Sequence, residues 1–208
     1  MRAKERGRTT LPTIFQNPDA DGRVADAILV FLGNVPDTAL REVNDPAAVA
    51  LEIARRAAAK AAVTAGTLAV PPGPLGWFTI IPELVAVWRI QAQMVSDVAG
   101  VYGKSASLTQ EHMLYCLFRH TAAQALRDLI VRVGERLLVR RASLNVMPRI
   151  ARTVGLRVAQ RSIGNAIARW LPIAGAVSVG AYAFYDTGQV AATAIELFEN
   201  EIVVEAAG

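Results

Sequence analysis

The sequence predicts an all-α fold, a single compact multi-helix domain with two proline-gated apolar helical hairpins, and three observations carry that expectation. Apolar residues make up 53% of the 208-residue chain but aromatic ones only 6%. A sandwich or barrel needs aromatic and β-branched strands, whereas abundant alanine favours helices. No run sustains the period-two alternation of a half-buried strand, so no strands are expected. Finally, proline and glycine fall in clusters that punctuate helix-length stretches. The single cysteine, Cys116, excludes an intrachain disulfide and a multi-thiolate metal site. Charged residues reach only 19%, below the roughly 25% of soluble domains, so a membrane has to be considered.

Residues 1–20 read as a flexible basic arm, with Arg2, Lys4, Arg6 and Arg8 but no apolar run of the kind export requires. Residues 21–201 form the helical domain and 202–208 a frayed tail. A short helix over Ala25–Leu32 stops at Gly33-Asn34, and Pro36-Asp37 opens a further helical turn. Asn44-Asp45-Pro46 is a strong start signal, a capping side chain followed by proline in the first turn. The helix it opens runs over Ala47–Val70, until Pro71-Pro72-Gly73-Pro74 breaks it. A second helix resumes near Thr79 or Pro82 and ends at Gly100 or Tyr102, before Gly103. A long helix is expected over Ser107–Arg141, capped by Ser107 or Thr109. Another follows over Arg149–Arg169, and Pro172 starts the last, which reaches about Glu201.

The net charge of +4 conceals an uneven layout. Arg119–Arg169 holds eleven arginines against Asp128 and Glu135, a net +9, which leaves −5 for the rest. Asp186–Gly208 carries five acids and no base. On the expected helix Arg132, Arg136 and Arg140 line one side, next to a face of Leu126, Ile130, Val133 and Leu137. Such an amphipathic array suits an anionic lipid surface. Equally, it describes a solvated face paired with the acidic carboxy-terminal helix. Nucleic acid is not an expected partner, because neither a recognition helix nor an aromatic platform accompanies the charges.

Between Lys60 and Glu83 lie 22 uncharged residues, and Trp170–Tyr185 gives another 16. The first run is broken by the proline cluster and the second is short of a span of about 20 residues. They read either as buried core helices or as hairpins dipping into one leaflet. Ala58, Ala62 and Gly66, and likewise Ala61, Ala65 and Ala69, are spaced to let helix backbones approach closely. Trp77 and Phe78 beside the turn suit a membrane interface.

Polar residues also gather. Glu83, Arg89, Gln93, Ser96 and Asp97 fall within about 140° of helical arc, opposite Leu84, Val85, Trp88, Val95 and Val98. Facing inward, Glu83 and Asp97 serve as acid and base or bind a cation; facing water, they form the wet side of an amphipathic helix. His112, Cys116 and His120 align at four-residue steps, but the outer pair stands about 12 Å apart along the axis, too far for one ion to bridge. Nucleophile elbows, Walker loops and Gly-x-Gly-x-x-Gly openings are missing, so no cofactor is expected.

The stretch Val70-Pro71-Pro72-Gly73-Pro74-Leu75-Gly76-Trp77-Phe78-Thr79-Ile80-Ile81-Pro82-Glu83, continuing to Ala99-Gly100-Val101-Tyr102-Gly103, resembles the EcsC family. Leu171-Pro172-Ile173-Ala174-Gly175-Ala176, followed by Tyr182 and Asp186, resembles that family's second apolar motif. Where this chain has Glu83 the family often carries aspartate. The resemblance implies a helical bacterial protein at the cytoplasmic face of the membrane, peripheral or partly inserted. Together with the arginine block and the apolar runs, this gives the expectation of a protein that binds or encloses anionic lipid through Arg132, Arg136, Arg140, Trp77 and Phe78, with a membrane protein as a further candidate partner. Two other readings stay open. One is an enzyme acting on a lipid or its head group through Glu83, Asp97 and Asp186, and the other a soluble cytoplasmic protein-interaction module.

Overall fold

Helices begin where the sequence supplies caps and end where it supplies stops. The computed structural model describes residues 18–69, 76–126, 130–133, 136–140, 146–166, 172–200 and 202–205. The expected basic arm therefore lies almost wholly outside the described residues, as does the Pro-Pro-Gly-Pro turn. Helix α1 spans Pro18–Leu32 and α2 spans Pro46–Leu68. Asp45 caps α2 by accepting a hydrogen bond from the Ala48 N–H at 3.1 Å, with Pro46 in the first turn. Between α1 and α2 the chain forms no helical turn at Pro36-Asp37. It runs irregularly across α3 (Gly76–Val101), to which the Val43 N–H donates a bond at the Val101 carbonyl.

Helix α3 starts earlier than expected, with Pro82 inside it. It ends in a Schellman turn: the Lys104 N–H bonds the Ala99 carbonyl at 2.8 Å and the Gly103 N–H bonds Gly100 at 3.0 Å. The turn requires the left-handed conformation at Gly103, where φ is +69°. Helix α4 covers Gln110–Leu126, α5 Val146–Ala166 and α6 Pro172–Glu199. Lys104 Nζ donates to the carbonyls of Phe198 (2.6 Å) and Asn200 (2.7 Å), supplying a cation and donors to the end of α6, where the helix dipole is negative.

The core is helical throughout. Trp88 of α3 meets Phe118 of α4 edge-on at 5.3 Å and Phe31 of α1 at 6.1 Å. Met94, Met113, Leu114, Leu117, Leu197 and Phe198 fill the space around them, each contributing about 1.5–3 kcal/mol by burial. Helix α5 packs on α1 and α4, whereas α6 packs on α2, α3 and α4. The first proline-gated piece is thus a hairpin of α2 and α3, while the second, α6, takes α2 rather than α5 as its main neighbour. The small residues of α2 permit this. A Cβ placed on Gly66 would lie 3.3 Å from the Ala176 carbonyl oxygen, and one on Gly180 would lie 2.9 Å from that of Ala62. The two helices run antiparallel, backbone against backbone.

The expectation of a helix through Arg141 is corrected. α4 stops at Leu126 after a kink at Ala122, and strands β1 (Ile130–Val133) and β2 (Arg136–Arg140) follow. They pair antiparallel, with Arg132 opposite Leu137 and Arg136 opposite Val133. Residues 202–205, expected as part of a frayed tail, form β3 (Ile202–Glu205), parallel to β2 with Arg140 opposite Glu205. The sheet is small, in the order β1-β2-β3. The physical reason is the wealth of valine, isoleucine and leucine between 130 and 139, which suits a pleated surface as well as a helix.

Candidate functional site

Three helices bring polar side chains together inside the bundle. Gln91 lies on α3 between Trp88 and Val95, 1% exposed. Its Nε2 donates to Asp186 Oδ2 at 2.8 Å and to Thr187 Oγ1 at 3.2 Å, both on α6. From α4, His120 Nε2 reaches Asp186 Oδ1 at 2.7 Å. Because a carboxylate only accepts, Nε2 is the donor in this bond. His120 Nδ1 and Gln91 Oε1 are buried without a hydrogen-bond partner among the described residues. An aspartate-fixed imidazole with a free Nδ1 has the form of a general base. Its Nδ1 is enclosed, however, and the Thr187 hydroxyl accepts from Gln91. The cluster holds α3, α4 and α6 in register.

The three carboxylates singled out from the sequence do not share one set of partners. Asp186 belongs to this cluster. Glu83 is buried on α3, about two turns before Gln91. Asp97 instead accepts from Thr38 Oγ1 at 2.7 Å and Gln93 Nε2 at 3.0 Å, tying down the irregular segment after α1. Of the expected polar arc of α3, Glu83 and Ser96 are buried while Arg89 and Gln93 are exposed.

The aligned His112, Cys116 and His120 also part company. Thr109 and His112 form a capping box at the start of α4: the Thr109 N–H donates to His112 Nδ1 at 3.0 Å. Burial lowers the His112 pKa to about 4, against a smaller opposing effect of Glu111. Cys116 is fully buried, and burial raises its thiol pKa far above the ordinary value.

Arg132, Arg136 and Arg140 were expected on one side of a helix; Arg132 lies instead on strand β1, and Arg136 and Arg140 lie on strand β2. Trp77 and Phe78 lie in the first turn of α3, and their side chains are outside the described residues. One arginine of the basic block, Arg119, pairs with Glu196 of α6 and lies over the Tyr115 ring at 5.4 Å.

Sequence reasoning missed Gln91, Thr187 and Thr38 as partners. A signal existed for Gln91, a polar residue three positions after Trp88 and four before Val95, on the apolar stripe.

The exterior carries two further features. The outer side of α6 presents Val177 (67% exposed), Phe184 (50%) and Tyr185 (63%). Along α3, two grooves adjoin across Arg89 and Gln93, of about 870 and 500 Å3. No helix among the described residues is long and apolar enough to cross a membrane. Comparison with protein-family models, with curated proteins and with solved structures finds no match.

Proposed function

We propose that this is a peripheral helical protein that docks on the surface of an anionic membrane, in keeping with the resemblance of its proline-gated segments to the EcsC family. The observation that carries the reading is the outer face of α6. Val177, Ala181, Phe184, Tyr185, Gly188 and Ala192 follow one another at helical spacing, all exposed and none charged. Exposed apolar surface of this kind, continued over several turns, marks a contact with a partner or a membrane.

Charge complementarity favours the membrane. Helix α2 lies antiparallel beside α6, so Lys60, two residues before Ala62, stands level with Tyr182, two after Gly180. Arg55, Arg56 and Lys60 are exposed along this part of α2, while Val63 and Leu68 are exposed beyond them toward its end. The basic side chains thus stand beside the apolar face of α6, an arrangement that suits apolar contact next to anionic head groups, with about 1 kcal/mol for each basic residue near the surface. The reading does not rest on Arg132, Arg136 and Arg140.

Vesicle flotation tests it. The protein should float with phosphatidylglycerol-containing vesicles and be released by high salt. Phe184→Ser combined with Tyr185→Ser, both at exposed positions, should cut recovery about fivefold or more while leaving the fold intact. Failure of the unaltered chain to float with anionic vesicles overturns the reading.

A further inference from the structure

We infer that the paired grooves along α3 form a binding site for a single-chain anionic amphiphile, with its head group held between α2 and α3 and its chain lying between α1 and α3. The smaller groove is lined by Arg56 and Lys60 of α2, by Arg89 and Asp97 of α3, and by apolar Ile53 and Met94. Three cations thus face one acid. That acid is already engaged, since Asp97 Oδ1 accepts from both Thr38 and Gln93. Arg56 pairs with Glu52 on the open side of α2, whereas Lys60 and Arg89 make no ion pair among the described residues. Two uncommitted cations on facing helices are the arrangement that a carboxylate or phosphate head group satisfies.

The larger groove begins on the other side of Arg89 and has a different character. Ala27, Val30, Phe31, Val35 and Val85 give it apolar walls, and Val30 is 80% exposed. Asp26 and Asp37 also line it. These acids repel an anionic head and so fix the polarity of binding: head toward Lys60 and Arg89, chain along Val30 and Phe31. Arg89 borders both grooves, and its aliphatic stem and charged head suit the junction of chain and head group. The volumes are of the size that small ligands occupy. The site is distinct from the outer face of α6.

A dansyl-labelled undecanoate, titrated below its micelle concentration with no bilayer present, tests the site. Saturable binding of one probe per chain is expected, with displacement by dodecyl phosphate and by laurate. Arg89→Ala combined with Lys60→Ala should weaken the probe about tenfold or more, with the far-ultraviolet spectrum unchanged. Val30→Asp, which alters an exposed wall of the chain groove and no cation, should weaken it as well. Absence of saturable binding overturns the proposal, as does binding indifferent to both variants. Displacement by inorganic phosphate as effective as by dodecyl phosphate overturns it in favour of a simple anion site, and displacement by dodecanol alone in favour of a merely apolar one. Lys60 and Arg56 serve both readings, but no membrane is present here and flotation is read with Phe184 and Tyr185, so failure of the one is distinguishable from failure of the other.

Discussion

A Cβ placed on Gly180 would sit 2.9 Å from the carbonyl oxygen of Ala62. That distance is too short for an ordinary carbon–oxygen contact, and the obstacle is backbone rather than a side chain that can turn away. Replacing Gly180 with alanine therefore forces α2 and α6 apart, and valine does so further. The expected cost is about 1–3 kcal/mol for alanine. Gly66→Ala, where the corresponding distance to the Ala176 carbonyl is 3.3 Å, should cost less. Urea unfolding of the two variants checks the order.

Asp186 joins two helices to its own, so its removal should be felt in proportion to what it leaves unpaired. In Asp186→Ala, His120 Nε2 loses its acceptor and Gln91 Nε2 keeps only Thr187. A loss of about 2–4 kcal/mol is expected. Asp186→Asn retains an acceptor and should lose about half as much. Equal losses in the two, measured by thermal or urea unfolding, contradict the account.

His112 gives stability a defined pH dependence. Its Nδ1 accepts from the Thr109 N–H, so protonation there puts donor against donor. Its pKa, near 6.5 in the unfolded chain, is about 4 in the folded one. Between these values the unfolded chain binds more protons, so this contribution is complete above pH 6.5 and is lost as pH falls toward 4. The full loss is about 3 kcal/mol. His112→Gln keeps an acceptor at the capping position and removes the titration. Stability of the two proteins between pH 7 and pH 5 should diverge accordingly.

Cys116 should be inert in the native protein. It is buried on α4 and its thiolate is strongly disfavoured, so a thiol reagent such as dithionitrobenzoate finds no nucleophile. Labelling should be absent in buffer and complete in denaturant. Prompt labelling of the folded chain contradicts the packing of this helix.

Much of the helical frame was legible because its signals are local. Asp45-Pro46 capped α2 as read, Gly103 stopped α3, Pro172 opened α6, and Ala58, Ala62 and Gly66 announced a close helix contact. The arginine segment misled because its local signal is ambiguous. Arg132, Arg136 and Arg140 at four-residue spacing fit a helix, yet Ile130, Val131, Val133 and Val139 fit strands equally, and Gly134 between the two runs is a hairpin cue. What decides is pairing with Ile202–Glu205, far along the chain and beyond any local window. The polar cluster was half legible for the same reason. Asp186 and His120 each stood out, but their meeting depends on how α4 and α6 pack. Asp97 was grouped with Glu83 by helical arc alone, and its bond to Thr38 depends on an irregular segment that has no periodicity to read.

The parallel pairing of β2 with β3 also sets an order of events. Arg140 and Glu205 are neighbours across the stretch of chain that carries α5 and α6. That pairing closes a loop of about 65 residues, an entropic cost that local helix formation does not carry. Residues 202–205 leave the ribosome last among these elements, so β2 gains its second neighbour only after both helices between them have been synthesised. Protection of the β2 amides from exchange during refolding should then lag behind that of α2 and α3, and the sheet would report closure of the carboxy-terminal third of the chain.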